Sequence, residues 1–237
     1  MPTADVLSVR GVTRDYRGLR PLRVAALDVK EGAVVSLLGF DQAMAEVLVK
    51  LIMGATLPDT GEVVVFGQRT SDITDGDAWL DGLDRFSLLS DRTVLVEELS
   101  VEQTIALPIA FVLDEPTGVV RTTVRTLAAE VRLDESALMQ PVSALLPLAR
   151  ARVRLARALA AGPRLLLGEH PSASLSPDDT ETFAADVSRV VRARQLTTLI
   201  LTADRRFATT VSRDVLMLQP ATGALTSVTG WRQWLQR

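Results

Sequence analysis

The chain has no cysteine and a single histidine, His170. These absences exclude a disulfide framework, a cysteine zinc site, a thiol nucleophile and any metal centre built from a histidine cluster. Long apolar stretches are also missing. The longest, Ile105 to Leu113, is nine residues and is interrupted by Pro108, whereas crossing a bilayer takes about 20. Met1 to Arg10 shows neither a basic stretch followed by an apolar run nor a small-residue cleavage site, so no secretory leader is visible and a cytoplasmic location is expected. Aromatic residues make up only 4%, with one tyrosine, Tyr16. Lysine is almost absent, at 2 against 24 arginines, which reads first as genomic bias. With 26 basic and 29 acidic residues, a net charge of -3 argues against nucleic-acid binding through bulk positive charge, and no nucleic-acid partner is expected.

What is present is an ordinary globular composition, 47% hydrophobic and 23% charged over 237 residues. That is enough to bury a core, and it suits one domain, 1–237, with an attached subdomain. Short β-branched runs at Val6–Val9, Val24–Val29, Ala33–Leu38 and Val63–Phe66, separated by Gly and Pro, predict a strand-rich first third. Met44 to Met53 has a helical pattern stopped by Gly54. Helical spacing recurs in Thr122–Leu133 and Leu148–Ala160, with Pro108, Pro116 and Pro141 as breaks, and predicts a helical subdomain at about 85–150. A buried strand at Arg164–Leu167, a helix over Pro177–Arg194 and a strand at Thr197–Thr202 complete an alternation that implies a parallel α/β sheet.

Several separate stretches resemble the ATPase subunit of ATP-binding-cassette (ABC) transporters, over nearly the whole chain. Val35-Ser36-Leu37-Leu38-Gly39 resembles the strand that enters the phosphate loop, and Lys50 to Gly54 followed by Pro58 to Val63 resembles the stretch after its helix. Leu99 to Gln103 resembles the segment after the family's glutamine loop. Arg152 to Ala160, then Pro163 to Leu167, resembles the signature helix running into the Walker B strand, and is the most specific match. The resemblance implies a P-loop NTPase-like parallel sheet core with a β-rich N-terminal edge and a helical subdomain. It also implies a transmembrane subunit or a second cassette as partner in a homo- or heterodimer and a peripheral place on the inner membrane face, with ATP and magnesium as cofactors only if the chain is a working ATPase.

In that register, however, the chemistry-bearing positions are altered. A phosphate loop needs G-x-x-x-x-G-K-[ST], because glycines let backbone N–H groups curl around phosphate while Lys and Ser/Thr neutralise charge and hold magnesium. Here Gly39 is kept, but Met44 stands for the second glycine, Ala45 for the lysine and Glu46 for the hydroxyl residue. Glu46 and Asp41 would face phosphate with like charge, a repulsion of ~4 kcal/mol for unit charges ~4 Å apart at an effective dielectric of ~20. The signature falls on Leu145-Leu146-Pro147-Leu148-Ala149, the Walker B acid on Glu169, the catalytic glutamate on His170, the switch histidine on Ala203 and the D-loop acid on Ser176. The glutamine of the glutamine loop falls on Ser90 or Asp91.

Each position admits a functional and a plain reading. Glu46, expected in the first helical turn, or Asp41 beside it, is an internal stand-in for phosphate or simply a helix cap. His170 is a general base or a structural histidine. Tyr16 stacks on adenine, as the resemblance implies, or is an ordinary edge-strand residue. Arg150, Arg152, Arg154, Arg157 and Arg164 form a basic contact stretch or, the better reading, lie around a solvated helix. The apolar residues at 105–112 pack in the core or receive a membrane subunit. The function expected is that of a degenerate ABC ATPase-like subunit, structural or regulatory, a pseudo-ATPase with no metal site. The rivals are a working ATPase with Glu169 on magnesium and His170 as base, and a regulatory module that binds another ligand.

Overall fold

The computed structural model describes residues 5–73, 75–110 and 114–228. In chain order these form β1 (Asp5–Arg14), β2 (Leu22–Lys30), β3 (Val34–Leu38), α1 (Gln42–Ile52), β4 (Thr60–Val65) and β5 (Gln68–Arg69). There follow α2 (Gly76–Leu83), β6 (Phe86–Ser90), α3 (Val101–Ala110), α4 (Gly118–Glu130), α5 (Pro147–Ala160) and β7 (Leu165–Glu169). The order closes with α6 (Pro177–Ala193), β8 (Thr197–Thr202), α7 (Arg205–Val211), β9 (Asp214–Gln219) and β10 (Ala224–Ser227).

Alternating burial drives the amino-terminal sheet. Leu7, Val9 and Val12 of β1 lie opposite Val29, Leu27 and Val24 of β2, and their apolar faces are all buried. This antiparallel sheet has the order β2-β1-β4-β5. The second sheet, β10-β9-β3-β8-β7-β6, is parallel except for β10. Its central strands β7 and β8 are buried at every residue, as expected of continuous apolar runs covered on both faces. One core cluster fills the space between the two sheets and α1, with Leu7, Leu37, Leu48, Leu165 and Leu199. A second packs α3 to α6 against the opposite face, through Ile105, Val124, Leu155, Phe183 and Ile200, and a small third joins Leu38, Ala208 and Val215. The α/β architecture with a β-rich edge and a helical layer is the one the sequence implied.

Three boundaries differ from expectation. Helix α1 begins at Gln42 and not at Met44, because Asp41 caps it. Residues 86–90, placed by the sequence reading in the helical subdomain from about 85, form β6, which pairs with β7 in the main sheet. The helical layer therefore starts beyond Ser90, and α5 carries it to Ala160. Pro108, read as a break, lies inside α3, two residues before the last described residue of that helix. The segment Ser100 to Gln103 is a reciprocal cap for α3: Ser100 N–H donates to Gln103 Oε1 at 2.9 Å and Gln103 N–H donates to Ser100 Oγ at 3.1 Å.

Candidate functional site

In open parallel sheets, ligand sites form beyond the carboxyl ends of the strands. Here the loops after β3, β6, β7 and β8 meet at that end, and they carry most of the positions picked out from the sequence. Gly39 follows β3 with φ of +85°, and a Cβ there would lie 3.2 Å from Met217 Sδ and 3.3 Å from the Leu218 carbonyl oxygen. Packing against β9 thus explains this glycine on its own.

Only Gly39, Phe40 and Asp41 separate β3 from α1, and Phe40 is 1% exposed in the core between the sheets. Asp41 Oδ1 accepts from Met44 N–H at 2.8 Å, and its backbone carbonyl accepts from Ala45 N–H at 2.9 Å. Two of the amides at this helix terminus, those of Met44 and Ala45, are therefore taken by the Asp41 carboxylate and by helical bonding. Ala45, at the lysine position, is completely buried.

Glu46 is the fifth residue of α1, so it lies in the second turn and not the first as expected, and it does not cap the helix. Its carboxylate is 2.6 Å from Lys50 Nζ and 2.8 Å from Arg92 Nη1. These two hydrogen bonds, Lys50 first, hold its pKa below the ordinary value. Of the two proposed stand-ins, Asp41 is the one at the helix terminus.

Glu169 ends β7 and is 4% exposed. Gln42 Nε2 donates to its Oε1, and Arg92 Nη1 is 3.8 Å from the same oxygen. Burial pushes its carboxyl up, and the Gln42 hydrogen bond and the Arg92 charge offset this only in part. Glu46, Lys50, Arg92 and Glu169 line one side of a cleft of about 410 Å³, whose other walls include Val49, Met53, Trp79, Leu83 and Leu88.

His170, the next residue, turns away from this network. Its φ is +43°, its N–H donates to the Leu201 carbonyl at 2.9 Å, and its Nε2 is buried with no hydrogen-bond partner among the described residues. It lines a different cavity, of about 600 Å³, with Ser172, Thr180, Thr202, Ala203 and Asp204. Glu169 and His170 are thus adjacent in sequence but open onto separate spaces.

Tyr16 is half-buried against the core between the sheets, near enough to Asp41 for that negative charge to add to burial in raising the phenol pKa. Gly18 lies against its ring, where a Cβ would come within 2.5 Å. At the signature position Leu146 precedes α5 without a side-chain cap and is 77% exposed, and Pro147, which has no N–H, opens the helix. Ser176, at the D-loop position, caps α6 by accepting from Asp179 N–H at 3.2 Å. Among the described residues no group of three or more His, Asp or Glu is placed to hold a metal.

The arginines of α5 are not a solvated face. Arg152 makes two bonds, of 2.9 and 2.7 Å, to the fully buried Asp186 of α6. Arg154 donates to the Thr93 carbonyl at 3.2 Å and to Asp91 at 3.3 Å, Arg157 to the Val94 carbonyl at 3.0 Å, and Arg150 pairs with Glu97. Arg164, beyond α5, stacks 4.8 Å from the centroid of Phe66. Their partners lie far away in sequence, so helical spacing could not reveal them. Of the apolar residues at 105–112, Ile105 and Ala106 are buried, Leu107 and Ile109 are half-buried, and Phe111 and Val112 lie outside the described residues. No helix among the described residues is long and apolar enough to cross a membrane.

Comparison with known proteins agrees with this architecture. No family model matches the chain. It is 31% identical over 212 residues to the lipoprotein-releasing system ATP-binding protein LolD of Maricaulis maris, covering 88% of this chain and 92% of that protein. The methionine import ATP-binding protein MetN of Cereibacter sphaeroides is 32% identical over 184 residues, and the ribose import ATP-binding protein RbsA of a Jannaschia species 29% over 199. These matches take in 74% and 80% of this chain but only 49% and 37% of those relatives. Among solved structures, cbiO1 of Clostridium perfringens, part of the ABC transporter complex cbiONQ, superposes with a TM-score of 0.81 at 17% identity, covering 98% of this chain and 93% of that one. A dimeric bacterial ABC transporter cassette gives 0.76 at 20% identity, covering 94% and 98%. The shared fold is that of a P-loop ATP-binding cassette. The chain belongs to the family of ABC transporter ATP-binding proteins.

Proposed function

We propose that this cassette is a structural or regulatory subunit that has little or no ATP hydrolysis and works by binding a protein partner, either a transmembrane transporter subunit or a second cassette. The observation that carries the reading is the amino end of α1, where Asp41 occupies the helix terminus and Ala45 is wholly buried. A phosphate entering there would displace a bonded carboxylate and would meet no lysine. The residues in the magnesium-binding positions fit poorly too, since Glu46 is bonded to Lys50 and Arg92, and Glu169 to Gln42. Leu146 and Pro147 offer no hydroxyl, and Pro147 no N–H, where the signature would grip a partner-bound nucleotide. With both halves of the composite site altered, a homodimer of this chain would retain no intact site. Association itself is supported by relatives: cbiO1 is part of a transporter complex, and one structural neighbour is a dimer.

Calorimetric titration of the full chain with ATP and magnesium, beside a cassette with an intact phosphate loop, tests the reading. No saturable heat up to millimolar nucleotide is expected. Micromolar binding with turnover would overturn it in favour of an ATPase that uses Glu169 and His170.

A further inference from the structure

The segment joining β6 to α3 begins with two adjacent residues of opposite charge, and each reaches a different part of the molecule. Arg92 turns toward the sheet, its Nη1 2.8 Å from Glu46 Oε2 on α1 and 3.8 Å from Glu169 Oε1 on β7. Asp91 turns toward the helical side, accepting from Ser174 Oγ at 2.6 Å and from Arg154 Nη1 of α5 at 3.3 Å. Beyond them α5 holds the same segment through Thr93, Val94 and Glu97. Ser143 N–H, just before α5, donates to the Glu97 carbonyl at 3.1 Å.

In the motif register Glu46 and Glu169 are the two positions that would share a nucleotide-bound divalent cation. Here one guanidinium nitrogen lies within reach of both. We propose that Arg92 is a built-in cation that replaces that ion and, together with Asp91, latches residues 91–97 and α5 onto the sheet without nucleotide. The inference rests on the reading that this cassette does not use ATP.

The chemistry suits the task. A guanidinium presents several N–H groups in a plane, so it can bridge two carboxylates that a single ammonium would serve one at a time. The Arg92 pair with Glu46 is solvent-exposed and weak on its own account, at 59% and 34% side-chain exposure. Its leverage comes from Glu169, whose side chain is only 5% exposed and therefore poorly screened by water. Without Arg92, Glu46 and Glu169 would face each other with Lys50 on Glu46 and the Gln42 amide on Glu169. A divalent cation would be the natural replacement.

Hydrogen exchange on the full chain without nucleotide reads the latch directly, with Arg92→Met and Arg92→Lys compared against Arg205→Met, a substitution of an exposed arginine at the start of α7. In Arg92→Met, amides at 91–97 and in the first turns of α5 should exchange at least tenfold faster than in the unmodified chain. Arg92→Lys should recover part of the protection, and Arg205→Met should leave it unchanged. Millimolar manganese, used alone, should slow exchange in Arg92→Met and have no such effect on the unmodified chain. Unchanged exchange at 91–97 in Arg92→Met would overturn the latch, and loss of protection that manganese does not restore would overturn the cation equivalence. Because nucleotide is absent throughout, ATP binding by the unmodified chain in calorimetry would sink the non-ATPase reading while leaving a positive exchange result standing.

Discussion

Removing the Asp41 carboxylate is the most direct perturbation of the closed helix terminus. Asp41→Ala deletes one bond of 2.8 Å to Met44 N–H and the negative charge at the positive end of α1. Loss of such a cap costs about 1 kcal/mol, within a range of roughly 0.5–2. For a chain of this size that lowers Tm by about 2–4 °C. The Met44 N–H is then left without its acceptor at the positive end of α1, beside the exposed positions 41 and 43, and should donate to an external anion. A site of roughly 10 mM affinity in roughly 50 mM phosphate would return about 1 kcal/mol, close to what the substitution removes. Thermal melts in phosphate and in chloride at matched ionic strength, run on both proteins, separate this specific gain from general salting effects. Asp41→Asn, which keeps a capping side chain without the charge, should melt near the unmodified chain and respond little to phosphate. Equal phosphate stabilisation of the unmodified chain and Asp41→Ala would refute the idea that Asp41 fills an anion site. So would a variant that melts unchanged.

Two further substitutions probe the buried charges. Asp186→Ala leaves the Arg152, Arg132 and Arg189 guanidinium groups around an empty carboxylate position, and truncating one side of a buried charge pair costs about 3–5 kcal/mol. Urea denaturation should show that loss, and a value under about 1 kcal/mol would mean the cluster is solvated. The pKa of Glu169 is raised by burial, so the folded state holds its proton more tightly than the unfolded one, and stability from this group falls as pH rises from about 4.5 through the raised value. The lowered pKa of Glu46 acts in the opposite sense, its contribution being lost as pH falls through the folded value. Glu169→Gln should therefore raise Tm at pH 7–8, with the gain fading by about pH 4, where the native carboxyl is protonated. A lower Tm at pH 7–8 would show that Gln42 and Arg92 more than offset burial.

The framework was legible because its signals are local. Continuous apolar runs such as Leu165–Leu167 and Thr197–Thr202 read as buried strands and became β7 and β8. Missed were the strands β5, β6, β9 and β10 and the helices α2 and α7. Phe86–Ser90 is too short to separate from a helical turn by periodicity, and it is a strand because Leu88 and Leu89 find register with Leu167 and Gly168. The start of α1 was misplaced because the apolar helical pattern begins only at Met44, while the capping aspartate sits three residues before it.

That residues 39–46 do not read G-x-x-x-x-G-K-[ST] is a property of the sequence by itself, since a lysine or hydroxyl that is not in the chain cannot be supplied by folding. What occupies the space this leaves was decided only in three dimensions. Arg92 meets Glu46 across 46 residues, Gln42 meets Glu169 across 127, and Asp91 meets Ser174 across 83. No period along the chain encodes such encounters. They follow from the parallel sheet, which lines up the carboxyl ends of β3, β8, β7 and β6 along one edge so that charges remote in sequence must pair, repel or stay solvated.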